Sequence, residues 1–419
     1  VGDPASVLLT CQLIVAAVAF VANILAARML EPSGRGELAL LLQIAYMSSL
    51  GLVLGTDRSV VVVYAGTPVR IVTRSFVRLL VTPSAICLAV VVAVVAVPIP
   101  GIGSWRIGLA LALLFAVTNA FVRAVRAIAI AGGRQQDFLH YSLVSNGLLM
   151  LAIVALFVLE VDNSALWVLA YLLAGTVSTV ACLARWAWSS RLSSHVGVIP
   201  GDGPRQARRE GLQLFPFALA HSGVLRLDRL LLAGLASTAA LGIYASVATM
   251  TELIAWPLLA FASSRIGAWR KAHDSGALPL RKLFVLAAAY CITAAVLMAV
   301  TTHLLLLPLL GSEYRSAGEL VAPLVAAAAV FGMAHLVATV LIAIRRNSLA
   351  SIAEVVGFGV SVASYVVLIG HYGALGAAYG SLVGYFTSLA VAGGILLVCL
   401  RRPRRPPQHA SAGPTAGSA

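Results

Sequence analysis

The sequence predicts an all-α, polytopic membrane protein with about twelve transmembrane helices in two six-helix lobes and both termini in the cytoplasm. Composition is the first reason. Of the 419 residues, 60% are hydrophobic and only 11% are charged, and the mean hydropathy is +0.98. Soluble domains carry about 25% charged residues, so this chain has too little polar surface to face water on all sides. Its apolar runs are about 20 residues long or longer, which suits a hydrocarbon core about 30 Å thick.

The apolar runs divide the chain into candidate spans. They cover residues 6–30, 37–63, 77–97, 105–129, 138–159, 164–189, 210–233, 239–264, 282–308, 317–343, 349–370 and 373–399. We predict an N-terminal lobe at 1–190, a cytoplasmic inter-lobe linker at 191–209, a C-terminal lobe at 210–400 and a disordered, basic cytoplasmic tail at 401–419. The first run has no small-residue cleavage site after it, which favours a retained helix over a signal peptide.

The basic residues give the orientation. Formal net charge is +14, and most of the arginines lie in alternate links between the apolar runs. The positive-inside rule therefore places these links in the cytoplasm and the protein in the cytoplasmic membrane. The basic link at 66–76 is predicted to be a solvated loop, with an amphipathic surface segment as the alternative. No nucleic-acid-binding module accompanies the charge, so we expect no nucleic-acid partner.

An internal repeat supports two lobes. Gly36-Glu37-Leu38-Ala39 opens the second span, and Gly242-Ile243-Tyr244-Ala245 opens the eighth, 206 positions later. Ala165-Leu166 and Ala374-Leu375 open the sixth and twelfth spans at an offset of 209. Repeats with an even number of helices are parallel, related by an axis along the membrane normal, with the substrate site between them.

Several segments resemble one transporter family. LAARMLEPSGRGELALLL is similar to the first helical hairpin of bacterial polysaccharide (lipid-linked oligosaccharide, or O-antigen) flippases, which typically show ARLLGPEGYG there. LRLDRLLLAGLASTAALGIYASV resembles their seventh and eighth helices, HYGALGAAYGSLVGY their last helix, and LLGSEYRSAGELVAPL the link before their tenth. This family belongs to the multidrug/oligosaccharidyl-lipid/polysaccharide (MOP) exporter superfamily. One departure is Glu31-Pro32-Ser33, which replaces the commoner Gly-Pro-Glu.

The resemblance implies a MATE-like fold in which two six-helix lobes form a V around a central cavity. It also implies alternating access, and a substrate of oligosaccharide on polyprenyl diphosphate (such as undecaprenyl diphosphate) for cell-surface polysaccharide biosynthesis. Membrane lipids and the polysaccharide assembly proteins are the further partners that it suggests. Lipid II flippases look similar but usually carry two more helices, so a twelve-helix chain favours the general polysaccharide branch.

The seventh span carries the strongest site candidates. Arg226, Asp228, Arg229 and His221 lie in it, although an ionisable side chain at the bilayer centre costs ~2.5–3.5 kcal/mol. On a continuous helix they share about half of the circumference, at 100° per residue. We predict that they line the substrate cavity, with both arginines on the diphosphate, because guanidinium binds phosphate oxygens in a bidentate manner. The alternative places the arginines in the outer headgroup region or in ion pairs. Asp228 has no partner on its own helix, so one must come from elsewhere.

Other ionisable residues are weaker candidates. Arg58 and Arg28 are further substrate-binding candidates, but their neighbours Asp57 and Glu31 also suit a topology anchor and a local ion pair. Two more residues could couple transport to protons or cations: Glu252 and His335. For Glu252 an ion pair with an arginine of the seventh span is the competing interpretation, and a lone membrane histidine is more often a packed, hydrogen-bonded residue.

No enzyme motif is present, and no cofactor or metal site is predicted. The sequence has no P-loop and no H-E-x-x-H or G-x-S-x-G motif. Its five cysteines form no C-x-x-C pair, so they indicate neither zinc nor a disulfide framework. A lipid-linked sugar polymerase or glycosyltransferase remains an alternative, although the outer loops are short for general-base chemistry. A cation-coupled multidrug antiporter of the same superfamily is the stronger alternative, and a non-transporting scaffold is a third.

Overall fold

The structure is a computed structural model that describes residues 4–97, 105–188 and 203–401. The described residues form thirteen α-helices: α1 (Pro4–Val53), α2 (Thr56–Val63), α3 (Val69–Ala96), α4 (Arg106–Ala131), α5 (Gln135–Val158), α6 (Ser164–Trp188), α7 (Gly203–Val224), α8 (Leu227–Leu235), α9 (Thr238–Thr251), α10 (Ala255–Asp274), α11 (Leu280–Leu310), α12 (Gly318–Ala343) and α13 (Asn347–Arg401). Two 3₁₀ turns, Glu252–Ile254 and Ser312–Ala317, precede α10 and α12.

The predicted all-α, polytopic fold is confirmed. Nine helical stretches of the described chain are long and apolar enough to cross a membrane, and this is a multi-pass membrane protein. Two of these stretches contain two spans each. Helix α1 breaks at Glu31, where φ is 54° and ψ is 174°, and α13 breaks at Gly373, where φ is 53° and ψ is −127°. The break at Glu31 lies in a predicted link, and the break at Gly373 falls on the first residue of the last predicted span, so both divide their helices close to where the hydropathy pattern does.

Two predictions for individual segments are wrong. The seventh span is two helices, since α7 ends at Val224 and α8 begins at Leu227. The link predicted at 66–76 is mostly helical, because α3 begins at Val69 and Phe76 is fully buried against α4. The linker at 191–209 stays a prediction: α7 begins within it, at Gly203, and 191–202 lie outside the described residues. The predicted tail lies outside them too, apart from residue 401 at the end of α13.

The helices differ in how much of their apolar surface is exposed, as expected for a bundle surrounded by lipid. Helix α12 is the most enclosed of the long helices, and it packs against α10, α11 and α13. Helix α11 instead exposes apolar side chains along most of its length, including Val285, Ile292, Val296 and Leu304. Exposed aliphatic side chains suit a lipid surface, so α11 is on the outside of the bundle.

Helices of the two sequence halves meet through glycines. Gly36 of α1 and Gly242 of α9 pack so closely that a Cβ on Gly36 would overlap the carbonyl oxygen of Thr238, and one on Gly242 would overlap that of Pro32. These are the glycines that the repeat matched. We call this contact the outer closure, since the predicted orientation puts it on the outer side. Small residues allow such close approach between membrane helices.

A second contact closes the opposite end. Gly55, at the start of α2, lies against the backbone of Gly211 in α7. The Ser59 hydroxyl of α2 donates a 2.6 Å hydrogen bond to the carbonyl oxygen of Ala207. We call this contact the inner closure. Residues 37–53 of α1 run between the two closures and contact the break between α7 and α8, where the charged residues of the seventh span lie.

Candidate functional site

The break in the seventh span places Arg226 between the two halves of the chain. Arg226 has non-helical backbone angles (φ −139°, ψ −14°) and precedes the first turn of α8. Its Nη1 donates a 3.4 Å hydrogen bond to Oε1 of Gln43, and its guanidinium carbon lies 4.9 Å from the ring centroid of Tyr46. Both partners belong to α1. Stacking on an aromatic face stabilises a cation without neutralising it.

Arg226 has no ion pair with an acidic side chain of the described residues. Arg229 does have one: its Nη2 binds Oε1 of Glu252 in the 3₁₀ turn before α10. The structure therefore shows the ion pair that was one of the two interpretations of Glu252. Arg226 and Arg229 lie close enough to act on each other electrostatically, although Arg226 precedes α8 and Arg229 lies within it. That the charged residues of this span line a substrate cavity stays a prediction.

Asp228 lies in the first turn of α8 and is only 3% exposed. Its Oδ2 accepts a 2.6 Å hydrogen bond from the Tyr244 hydroxyl of α9, and its Oδ1 accepts one of 2.8 Å from the backbone N–H of Arg229. The Tyr244 hydroxyl is also 3.4 Å from the Ser381 hydroxyl, which lies 2.9 Å from that of Tyr365. The partner that the sequence required for Asp228 thus comes from the next span, as a hydroxyl donor.

These groups border a small cavity inside the second half of the chain. The cavity has a volume of about 100 Å³, and its polar lining comes from Arg226, Asp228, Tyr244, Glu252 and Ser381. Phe331 of α12 and other apolar side chains complete the wall. The cavity wall is therefore polar in part and apolar in part. In the described chain, no group of three or more His, Cys, Asp or Glu side chains could hold a metal ion.

The remaining predicted residues lie elsewhere. Arg28 caps the end of α11, where its Nε donates to the Leu309 carbonyl oxygen at 2.8 Å and its Nη2 to that of Pro308. Arg58 is at the start of α2, close enough to Asp57 and Glu354 for electrostatic interaction. His335 is half-buried in α12, with its ring 6.4 Å from that of Phe331. His221 lies in α7, and its side chain is outside the described structure.

Sequence reasoning missed three residues that border this region. Gln43 and Tyr46 contact Arg226, and Arg123 of α4 forms an ion pair with Asp57 at 3.6 Å. Gln43 had a detectable signal, since it is an isolated amide within an apolar run. Arg123 was assigned to a basic cytoplasmic link, although it lies inside α4. Nothing in the sequence distinguishes Tyr46 from a residue at the membrane interface.

Of three neighbouring arginines at this site, two form ion pairs with acidic side chains of the described residues and one does not. Arg123, Arg226 and Arg229 all lie close enough to Tyr46 to act on it electrostatically. Arg123 is paired with Asp57, and Arg229 with Glu252. Arg226 is the member of this group that forms no salt bridge among the described residues: its direct contacts are an amide and an aromatic ring, while Asp228 and Glu252 act on it from a greater distance. The site can therefore accept an anion at Arg226 without first breaking an ion pair.

Comparisons with known proteins show which solved structures share this fold. No protein-family model and no curated protein matches the chain. Solved structures do match over nearly its whole length. An inward-facing multidrug resistance MATE family transporter of the MOP superfamily has a TM-score of 0.66 at 15% identity, over 95% of this chain and 99% of that one. The lipid II flippase MurJ, in an inward closed conformation, has a TM-score of 0.69 at 12% identity, over 93% and 87%.

A third similar structure is a MOP superfamily transporter from Pyrococcus furiosus Vc1 (DSM3638), described as having a binding pocket of reverse polarity that suggests a different function. Its TM-score is 0.57 at 14% identity, over 96% of this chain and 98% of that one. The chain therefore has the MATE-like fold of the MOP superfamily. Identities this low establish the fold alone.

Proposed function

We propose that this protein is a transporter that flips polyprenyl-diphosphate-linked oligosaccharide across the cytoplasmic membrane by alternating access, for cell-surface polysaccharide biosynthesis. One observation carries the proposal: Arg226 lies between the two halves of the chain with no acidic partner among the described residues. Burying a charge without an opposite charge is costly, so such a cation favours an anionic ligand.

The chemistry of this ligand fits the surroundings of Arg226. A planar guanidinium forms two parallel hydrogen bonds to phosphate oxygens and stays charged when partly dehydrated. Gln43 accepts a hydrogen bond from Arg226. Once phosphate replaces Gln43 as the acceptor, the Gln43 amide can bind a sugar hydroxyl. The polyprenyl tail is as apolar as lipid, so it needs no protein cavity and can remain in the bilayer.

Two of the similar structures agree with this proposal. One is described as a lipid II flippase, and another as a MOP transporter with a binding pocket of reverse polarity. Proteins with this fold therefore include one described as a lipid flippase and one whose pocket is described as reversed in polarity. This supports the proposal by analogy of fold, and Arg226 supplies the argument specific to this chain.

A multidrug antiporter is the second candidate, favoured by the MATE structure and by Glu252 and Asp228. Such a pump needs an acid that exchanges a coupling cation for a drug. Here Glu252 is bound to Arg229, and Asp228 to Tyr244 and a backbone N–H. The first span has no acidic residue between Ala5 and Leu30. Glu252 and Asp228 are thus already engaged, which favours an anionic substrate.

The test uses purified protein in liposomes that carry a fluorescent polyprenyl-diphosphate oligosaccharide. A membrane-impermeant reductant reports the lipid that reaches the exposed leaflet. We expect Arg226→Ala to slow flipping at least tenfold, because hydrogen bonds to charged groups contribute about 1.5–3 kcal/mol and 1.4 kcal/mol corresponds to a factor of ten. The matched control is Arg281→Ala, which removes an exposed arginine at the start of α11.

Each outcome decides between the two candidates. Flipping by the parent and by Arg281→Ala, with loss in Arg226→Ala, supports the proposal. Flipping at the parental rate in Arg226→Ala would contradict the role of Arg226. If the lipid does not move while a cationic dye exchanges for protons or sodium, the protein is an antiporter, and Glu252 and Asp228 become the residues to substitute.

A further inference from the structure

A second arginine without an acidic partner lies at the outer closure. Arg35 follows the break in α1 and is only 7% exposed. Its Nη2 and Nε donate hydrogen bonds of 2.7 and 3.3 Å to one acceptor, Oδ1 of Asn23. No acidic side chain of the described residues forms an ion pair with it. A buried cation supported by one neutral amide is unfavourable, so the closed arrangement must hold it in place.

The same amide joins the two halves of the chain. Nδ2 of Asn23 donates a 3.0 Å hydrogen bond to the carbonyl oxygen of Ser246 in α9. The Gly36–Gly242 contact is next to Arg35 along α1. If α1 and α9 separate, Asn23 loses Ser246, and the amide that supports Arg35 is no longer held by α9. The support of Arg35 is therefore coupled to the outer closure.

Arg35 also lies in register with the Arg226 site. Tyr46, on which Arg226 stacks, is eleven positions after Arg35 in α1. On an α-helix this spacing is about 16 Å of rise and only about 20° of rotation, so both side chains leave the same face. Two cations without acidic partners thus lie at two depths along one stripe of α1, one in the middle and one at the outer end.

We propose that Arg35 is a second anion-binding residue of the transport path, which receives the diphosphate after Arg226 once the outer closure opens. This inference rests on the proposed function for the identity of the anion. An anion that binds Arg35 only in the open state stabilises that state by its difference in affinity, so the arriving diphosphate also favours opening. The closed state buries Arg35 against Asn23, so the outer closure can form again only after the anion has left.

The test measures opening directly, with inorganic pyrophosphate as the probe. The reporter is Ala39→Cys in a variant whose five native cysteines are replaced. Ala39 is 8% exposed and packs in the core that includes Leu241 and Ala245 of α9. The rate of maleimide labelling of purified protein in lipid nanodiscs is compared with and without pyrophosphate, at ionic strength matched with sodium chloride. We expect pyrophosphate to accelerate labelling at least threefold.

Two variants make the result specific. Arg35→Gln can still donate to Asn23 but carries no charge, so it should abolish the acceleration and slow labelling without pyrophosphate. Asn23→Ala should instead raise the rate of labelling without pyrophosphate, because Arg35 and the carbonyl oxygen of Ser246 both lose their hydrogen-bond partner. The matched control is Arg315→Gln, which removes an exposed arginine of the 3₁₀ turn before α12 and should leave the response intact.

A pyrophosphate response that is absent, or that persists in Arg35→Gln, would overturn the proposal for Arg35. Its failure can be told apart from failure of the proposed function. If the lipid is not flipped but pyrophosphate accelerates labelling only when Arg35 is present, the anion site stands and the lipid substrate is wrong. If flipping depends on Arg226 and the labelling response ignores Arg35→Gln, the flippase stands and Arg35 is structural.

Discussion

Asp228 is held by one side-chain donor, and removing that donor should destabilise the protein. Tyr244→Phe deletes the hydroxyl that donates a 2.6 Å hydrogen bond to Oδ2 of Asp228. The buried carboxylate oxygen then has lost its side-chain donor. An unsatisfied buried acceptor costs about 1–3 kcal/mol, so the apparent melting temperature in detergent should fall. The control is Tyr379→Phe, which removes a hydroxyl from an exposed tyrosine of α13 and should leave the melting temperature unchanged. Equal melting temperatures for both variants would mean that Asp228 does not need Tyr244.

The charged residues show how far single residues can be predicted from sequence. The depth of Arg226, Asp228 and Arg229 in an apolar run was enough to mark them as members of a polar region. The Arg229–Glu252 ion pair was one of two interpretations of Glu252. The partner of Asp228 was not predictable, because Tyr244 is one of eleven tyrosines and nothing marks it in the sequence. The break before α8 was not predictable either, and a helical wheel assumes that no such break exists.

Glu31 has a backbone conformation that only glycine adopts easily. Its φ of 54° and ψ of 174° cost a side-chain-bearing residue about 1–3 kcal/mol. Glu31→Gly should remove that strain and lose up to about 1 kcal/mol through the greater freedom of the unfolded chain. We therefore expect a net stabilisation of about 1 kcal/mol, seen as a higher apparent melting temperature in detergent.

Ser33→Gly is the matched control, because Ser33 lies two positions further on within α1. Glycine inside a helix is less stable than other residues by about 0.5–1 kcal/mol, so this variant should lower the melting temperature. Opposite signs for the two substitutions would identify the backbone of Glu31 as the strained position. A decrease in both would show that the Glu31 side chain contributes more than its strained backbone costs.

Two of the helix breaks, at Glu31 and Gly373, could be located from the sequence, whereas the break after Val224 could not. The break at Glu31 was expected, since proline follows it and disfavours helix at the preceding residue. The break at Gly373 falls on the first residue of the last predicted span. The break after Val224 has no proline at the site, and Pro216 lies within α7. It is stabilised by contacts with α1, namely Gln43 and Tyr46, and these belong to the tertiary structure.

For the molecule as a whole, the membrane made much of the fold predictable. A hydrocarbon core of fixed thickness imposes the length of each apolar run, so the spans could be counted and oriented without knowledge of their neighbours. Their arrangement needed more. The repeat matched Gly36 with Gly242, and the structure shows these two glycines against each other at the outer closure. The division into two lobes stays a prediction, and so does the orientation of the termini.

Alternating access requires that the inner closure separates during each cycle, and this gives the last prediction. The Ser59 hydroxyl lies 2.6 Å from the Ala207 carbonyl oxygen, so cysteines at both positions can be joined by a short, reducible methanethiosulfonate cross-linker. In a variant without the native cysteines, we expect the cross-link to reduce lipid flipping in liposomes more than tenfold. Reduction of the linker should restore it.

The controls are Ser59→Cys and Ala207→Cys alone, each treated with the same reagent. They carry the chemical modification without the bridge, so flipping should continue in both. If the bridged protein flips lipid as fast as the single variants, the inner closure does not open during transport, and the substrate must leave by another route. If only the bridged protein stops, the contact between α2 and α7 is a gate, since a static contact would tolerate the bridge.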